Sequence, residues 1–168
     1  MHAFDATERR IDTTCARFER FPRGAAVLVR LVKHIAGSVH DTANVRLRRH
    51  GINHTDYNIL MMLYGSEDGT ITPSRLAAAA GEKVANITRV CNALCDKQLI
   101  HRAPSKDDRR KVELRLSRKG TALIEQLLPD MIELLDVSVE ALDDAEQADL
   151  ERLLKKMLTG TERMHEAV

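Results

Sequence analysis

Two helix-length patterns separated by a single glycine, and followed at once by two strand-length ones, leave few folds open to this chain. Thr72-Pro73 reads as an N-cap followed by proline at the first helical position, which starts a short helix from Ser74 to Ala80. The small side chains of Ala77, Ala78, Ala79 and Ala80 allow another helix to approach closely. Gly81 breaks that helix, and Val84, Ile87, Val90, Cys91, Leu94 and Cys95 then recur at helical spacing in a second one running to about Gln98. Two helices joined by a short glycine turn form a helix-turn-helix candidate. Leu99 to Ala103 reads as a short strand and Pro104 to Lys111 as a charged hairpin loop. Val112 to Leu116 alternates apolar and charged residues, as a returning strand does. A helix-turn-helix with a β-hairpin behind it is a winged helix.

The flanking segments add helices that this unit does not need. From Pro22, Ala25, Leu28, Leu31, Val32, Ile35 and Val39 recur along an amphipathic helix to about His50, where Gly51 is a natural stop. Thr55 is the expected cap of the next helix, whose Ile59, Leu60, Met62 and Leu63 are apolar almost all round and belong in the core. Ser117 caps a long helix with a wide stripe from Leu123 to Leu135, in which Pro129 is expected to introduce a kink. Asp143 and Glu146 form a capping-box start to a last helix carrying Leu150, Leu153, Leu154, Met157 and Leu158. These two helices have no core left to face inside one winged helix, so a second copy of the chain is their expected cover. The fold expected is mainly α with a small β-hairpin wing. Its parts are an N-terminal arm at 1–21, a winged helix-turn-helix at 54–117, and a helical dimerisation region at 22–50 and 118–168.

Charge separates along the chain although the 168 residues sum to only +1. Residues 1–81 hold 11 basic and 8 acidic side chains, a balance of +3; residues 82–119 hold 11 and 5, a balance of +6; residues 120–168 hold 4 and 12, a balance of −8. Solvated surfaces usually mix both signs, so the segregated middle third points to a polyanion partner such as double-stranded DNA. With aromatic residues at 3%, the core must be aliphatic. No apolar run is long enough to span a membrane, and residues 1–20 lack a signal-like apolar stretch. A cytoplasmic location is expected. The three cysteines, Cys15, Cys91 and Cys95, have no zinc-finger spacing and suit a reducing compartment. Neither GxGxxG, a P-loop, HExxH nor GxSxG can be written, and no enzyme, cofactor or metal site is expected.

The order of elements, with Asn86-Ile87-Thr88-Arg89 in the second helix of the pair, Ser105-Lys106-Asp107-Asp108-Arg109-Arg110 in the hairpin loop and Leu116-Ser117-Arg118-Lys119-Gly120 after it, resembles the MarR family of bacterial transcription regulators. The resemblance runs from about Phe21 to about Met164. Phe21-Pro22, Leu31-Val32-Lys33-His34 and Gly51-Ile52-Asn53 are further similar to the branch of multidrug-efflux repressors typified by EmrR. In a winged helix the second helix enters the major groove, so Lys83, Val84, Ala85, Asn86, Thr88 and Arg89 become candidate DNA contacts. Asn86 can pair with adenine, Lys83 or Arg89 with phosphate or guanine, and Val84 or Ala85 with thymine methyls. The resemblance implies that Arg110, oriented by Asp108 and next to Arg109, enters the minor groove.

It also implies release from a roughly palindromic operator by a small phenolic, aromatic-acid or lipophilic effector. Arg30 and His34, four residues apart on one helix face, can hold a carboxylate or phenolate against an apolar wall of Tyr57, Met61 and Met62. A thiol switch at Cys15 is the competing reading, and a winged-helix scaffold for a protein partner is the rival from another class. Cys91 and Cys95 are expected to pack as small hydrophobes.

Overall fold

The computed structural model describes residues 3–104 and 112–166. Along the chain run α1 (Asp5–Arg17), α2 (Arg23–Leu47), a 3-10 turn (Arg48–His50), α3 (His54–Tyr64), α4 (Pro73–Ala80) and α5 (Val84–Asp96). There follow β1 (Ile100–Pro104), β2 (Val112–Leu116), α6 (Arg118–Val139) and α7 (Asp144–Glu166). The fold is the expected one, mainly helical with a two-stranded antiparallel wing. The chain divides into two compact units, Met1–Asp130 and Met131–Val168.

In the first unit, sequence punctuation sets the boundaries. The Thr72 side chain accepts from the Arg75 N–H at 3.3 Å, with Pro73 opening α4. Gly81, at φ +64°, lets the chain turn back through two hydrogen bonds: Glu82 N–H to the Ala77 carbonyl at 3.0 Å and Gly81 N–H to that of Ala78 at 3.2 Å. These close a Schellman motif, so the turn before α5 is fixed by backbone alone. β1 pairs with β2 from Ile100 opposite Leu116 to Pro104 opposite Val112. Ile71 adds a bridge to Leu114 and ties the wing to the start of α4. Ser117 caps α6 by accepting from the Gly120 N–H at 2.9 Å.

Two expectations need correction. The cap of α3 is Asn53 and not Thr55: its side chain accepts from the Asp56 N–H at 2.9 Å while the Asp56 carboxylate accepts from the Asn53 N–H at 3.4 Å. This capping box starts the helix at His54 and leaves Thr55 inside its first turn. The second correction is that α5 ends at Asp96, because Gln98 takes a left-handed backbone at φ +60°. Its N–H reaches the Cys95 carbonyl while Leu99 N–H reaches that of Leu94.

The core of this unit is aliphatic: Leu47, Ile59, Leu60, Leu63, Leu76, Ile87, Leu94 and Leu114 are fully buried. Its buried acid, Asp56, also accepts from Lys97 Nζ at 2.9 Å, so the start of α3 is tied to the end of α5. α1 lies on α2, burying Ile11, and Arg23 reaches back to Asp12 at 2.7 Å and Glu8 at 3.0 Å. Helix α6 continues through Pro129. In the second unit, α7 opens on the expected box, with Asp143 and Glu146 exchanging bonds at 3.0 and 2.9 Å.

Candidate nucleic-acid interface

Helix α5 divides cleanly into two faces. Ile87, Val90, Cys91 and Leu94 are buried, which leaves Ala85, Thr88, Arg89 and Asn92 along the solvent side at i, i+3, i+4 and i+7. Lys83 is the exposed N-cap residue and Val84 beside it is 51% exposed. The candidates Lys83, Val84, Ala85, Thr88 and Arg89 thus stand together at the N-terminal end of one helix, the end a winged helix presents to base edges. Asn86 is half-buried at the margin of this face.

The polar groups there already engage one another. Asn86 Nδ2 donates to Glu82 Oε2 at 3.0 Å, and Asn86 Oδ1 accepts from Arg89 Nη2 at 2.9 Å. The Thr88 hydroxyl donates to the Val84 carbonyl at 2.8 Å, a bond local to the helix. Arg102 of β1 donates to Asn92 Oδ1 at 2.6 Å, linking the wing to the same helix face. Glu82, Asn92 and Arg102 were not among the expected contacts. The signal for the first two was helical spacing, since Glu82 precedes Asn86 by four residues and Asn92 follows Thr88 by four. Asp108, Arg109 and Arg110 lie outside the described residues.

The profile of the MarR family matches residues 52–112, which hold the helix pair and most of the wing. The chain is 30% identical over 164 residues to the transcriptional repressor MprA of Escherichia coli (strain K12), also called EmrR, covering 98% of this chain and 93% of that one. This chain belongs to the MarR family. Among solved structures, it is similar to a cysteine-to-serine mutant of Escherichia coli MarR complexed with operator DNA, at 27% identity and a TM-score of 0.70, over 78% of this chain and 93% of that one. The fold is also that of the Staphylococcus aureus MepR–DNA complex, with a TM-score of 0.73 at 23% identity, over 79% of this chain and 96% of that one. As a MarR-family member the chain is a DNA-binding transcription regulator, not an enzyme.

The remaining candidates of this MarR-family chain fall in two places. Arg30 and His34 are exposed on α2 and line a cleft of about 530 Å³ with Phe4, the N-cap of α1, Thr7 of α1, and Lys33 and Asp41 of α2. The Phe4 ring meets His34 edge-on, with centroids 5.9 Å apart. Tyr57, Met61 and Met62 lie on α3 and are not among the residues lining this cleft. Tyr57 is buried, which pushes its phenol pKa up and keeps it neutral. Its ring stacks beside His54 at 6.5 Å. His54 Nδ1 in turn lies 2.9 Å from His40 Nδ1, so one of the two imidazoles carries the proton between them. Burial and the neighbouring His40 both lower the His54 pKa.

The three cysteines are free thiols; Cys91 is buried and its pKa is pushed up to about 11, which keeps it protonated. Among the described residues no group of three or more His, Cys, Asp or Glu is placed to hold a metal ion. No described helix is long and apolar enough to cross a membrane.

Proposed function

We propose that this chain is a homodimeric repressor that reads a pseudo-palindromic operator through α5 and the wing, and is released by a small phenolic, aromatic-acid or lipophilic effector. The observation that carries the reading is the solvent face of α5: Ala85, Thr88, Arg89 and Asn92 line one side of a helix whose other side is locked into the core and whose leading turn is fixed by backbone bonds. Such a face can present base-reading groups without further ordering, while Lys83 and Arg89 supply charge toward phosphate.

A second copy is supported by apolar surface in each unit. Leu28, Val29, Val32 and Ile35 of α2 are exposed, and so are Leu150, Leu153, Leu154 and Leu158 of α7. Monomeric proteins seldom leave such stripes in water, and a dimer sets two recognition helices at a spacing that matches half-sites about one DNA turn apart. For the effector, the cationic Arg30 and Lys33 together with the His34 imidazole in the α1–α2 cleft suit a carboxylate or phenolate, with Phe4 as an aromatic wall.

The test is a titration of the purified protein against its own upstream DNA at two salt concentrations, with salicylate and a lipophilic uncoupler as trial effectors. Tight binding that weakens steeply with salt and is relieved by either compound is the expected result. Arg110→Ala should weaken operator binding with the dimer intact, and Arg30→Ala with His34→Ala should blunt release while sparing DNA affinity. Salt-insensitive or absent binding would favour the protein-scaffold reading instead.

A further inference from the structure

Glu82 is the acidic residue at the mouth of the recognition helix, and both its backbone N–H and its carboxylate are engaged in hydrogen bonds. Its backbone N–H is locked to the Ala77 carbonyl at 3.0 Å by the Schellman turn, next to Gly81 at φ +64°. Its side chain then accepts from Asn86 Nδ2 at 3.0 Å, and the other end of that amide accepts from Arg89 Nη2 at 2.9 Å. The three side chains form one chain of hydrogen bonds running from a fixed turn along the exposed start of α5. It also sets which way the Asn86 amide faces, because a carboxylate accepts only from the NH₂ end and a guanidinium donates only to the oxygen end.

We propose that Glu82 is a specificity-determining residue of this DNA-binding face, an inference that rests on the DNA-reading function assigned to α5. Two physical effects combine. A carboxylate beside Lys83 and Arg89 repels phosphate, so docking by backbone charge alone, the basis of sequence-independent binding, is penalised. At a base edge the same carboxylate accepts from an amino group, which in the major groove only cytosine N4 and adenine N6 offer. Correct sites therefore compensate for Glu82, and incorrect ones do not. Asn86 and Arg89 are oriented by the same relay, so discrimination at neighbouring base pairs depends on it as well.

The isosteric Glu82→Gln removes the charge and keeps an acceptor for Asn86; Glu82→Ala removes both. Both substitutions are at an exposed position and should leave thermal unfolding nearly unchanged. Wild type and both variants are put through selection from a randomised duplex pool, and affinities are then measured for the duplex enriched by wild type and for its scrambled version. Glu82→Gln should bind the scrambled duplex about three- to tenfold more tightly at low salt, with the enriched duplex changed less. Glu82→Ala should in addition lose base preference at one or two positions of each half-site. An unchanged affinity ratio together with an unchanged enriched motif in both variants would overturn the proposal. A wild type that enriches no motif at all would overturn the DNA-reading function itself, and this role with it.

Discussion

Helices α5 and α7 are both amphipathic, yet they end in opposite situations. The apolar stripe Ile87, Val90, Cys91 and Leu94 of α5 is sealed inside the first unit, whereas on α7 Leu153 is 52% and Leu158 57% exposed. Helix α2 shows both conditions in one element: Ala43 and Leu47 near its end are fully buried, while Leu28, Val29 and Ile35 remain in water. Periodicity establishes that a helix has an apolar face, but where the partner of that face comes from is a separate question. For α5 it is the same chain; for α7 and the first half of α2 a second copy is the proposed answer.

The largest expected effect comes from placing a charge on the unpartnered stripe. Leu154→Asp should raise the dimer dissociation constant about a thousandfold, or about 4 kcal/mol, because both copies then bury a carboxylate in an apolar seam. Sedimentation would show a monomer, and operator affinity should fall with it. A variant that sediments like wild type would place the cover of α7 elsewhere and erase the contrast with α5.

On α5 the corresponding change acts within one chain. Leu94→Ala removes a fully buried side chain and should cost about 3 kcal/mol. Its effect on the urea midpoint should be the same at low and high protein concentration when referred to wild type at that concentration. A concentration-dependent loss would mean that α5 also depends on the second copy.

Punctuation and alternation made the winged helix legible: Thr72-Pro73, Gly81, Ser117 and the Val112–Leu116 alternation all lie where the structure turns, caps or pairs. The errors have local causes. Asn53 and Thr55 are both good caps, and the choice between them lay in the reciprocal bond with Asp56, which does not appear in hydrophobic spacing. Arg30 and His34 do share a face, but spacing does not say which element covers it, and α1 supplies the neighbours in place of Tyr57, Met61 and Met62. Asn86 and Arg89 were legible as contacts, but the Glu82–Asn86–Arg89 relay was not, because Glu82 by itself reads as a surface acid and spacing alone does not show that its carboxylate meets the Asn86 amide.

The joint between α2 and α3 offers a smaller and pH-dependent handle on the half of α2 that is satisfied within the chain. His54 N–H donates to Asn44 Oδ1 at 2.9 Å, and its ring meets His40. Because burial and His40 lower its pKa from 6.5 in the folded chain, the unfolded chain takes up the proton first as pH falls. The stability associated with neutral His54 is therefore complete above about pH 6.5, declines as pH falls toward the lower folded value, and then levels off. Wild type should lose stability between pH 7.5 and 5.5 by urea titration, and His54→Gln should lose less. Equal losses would remove the histidine pair as the source.

The smallest effect sharpens the end of α5. Gln98 occupies the left-handed conformation at φ +60° that glycine adopts without strain, and its side chain is exposed. Gln98→Gly should relieve backbone strain at the cost of a more flexible unfolded chain, for a net gain of about 0.5 to 1 kcal/mol. The gain should appear in the urea midpoint at every protein concentration, as expected for a helix whose contacts lie within one chain. The backbone carbonyl of residue 98, which accepts from the Ser117 hydroxyl at 2.7 Å, is kept by glycine, so a loss of stability would mean that the Gln98 side chain also holds the turn into β1.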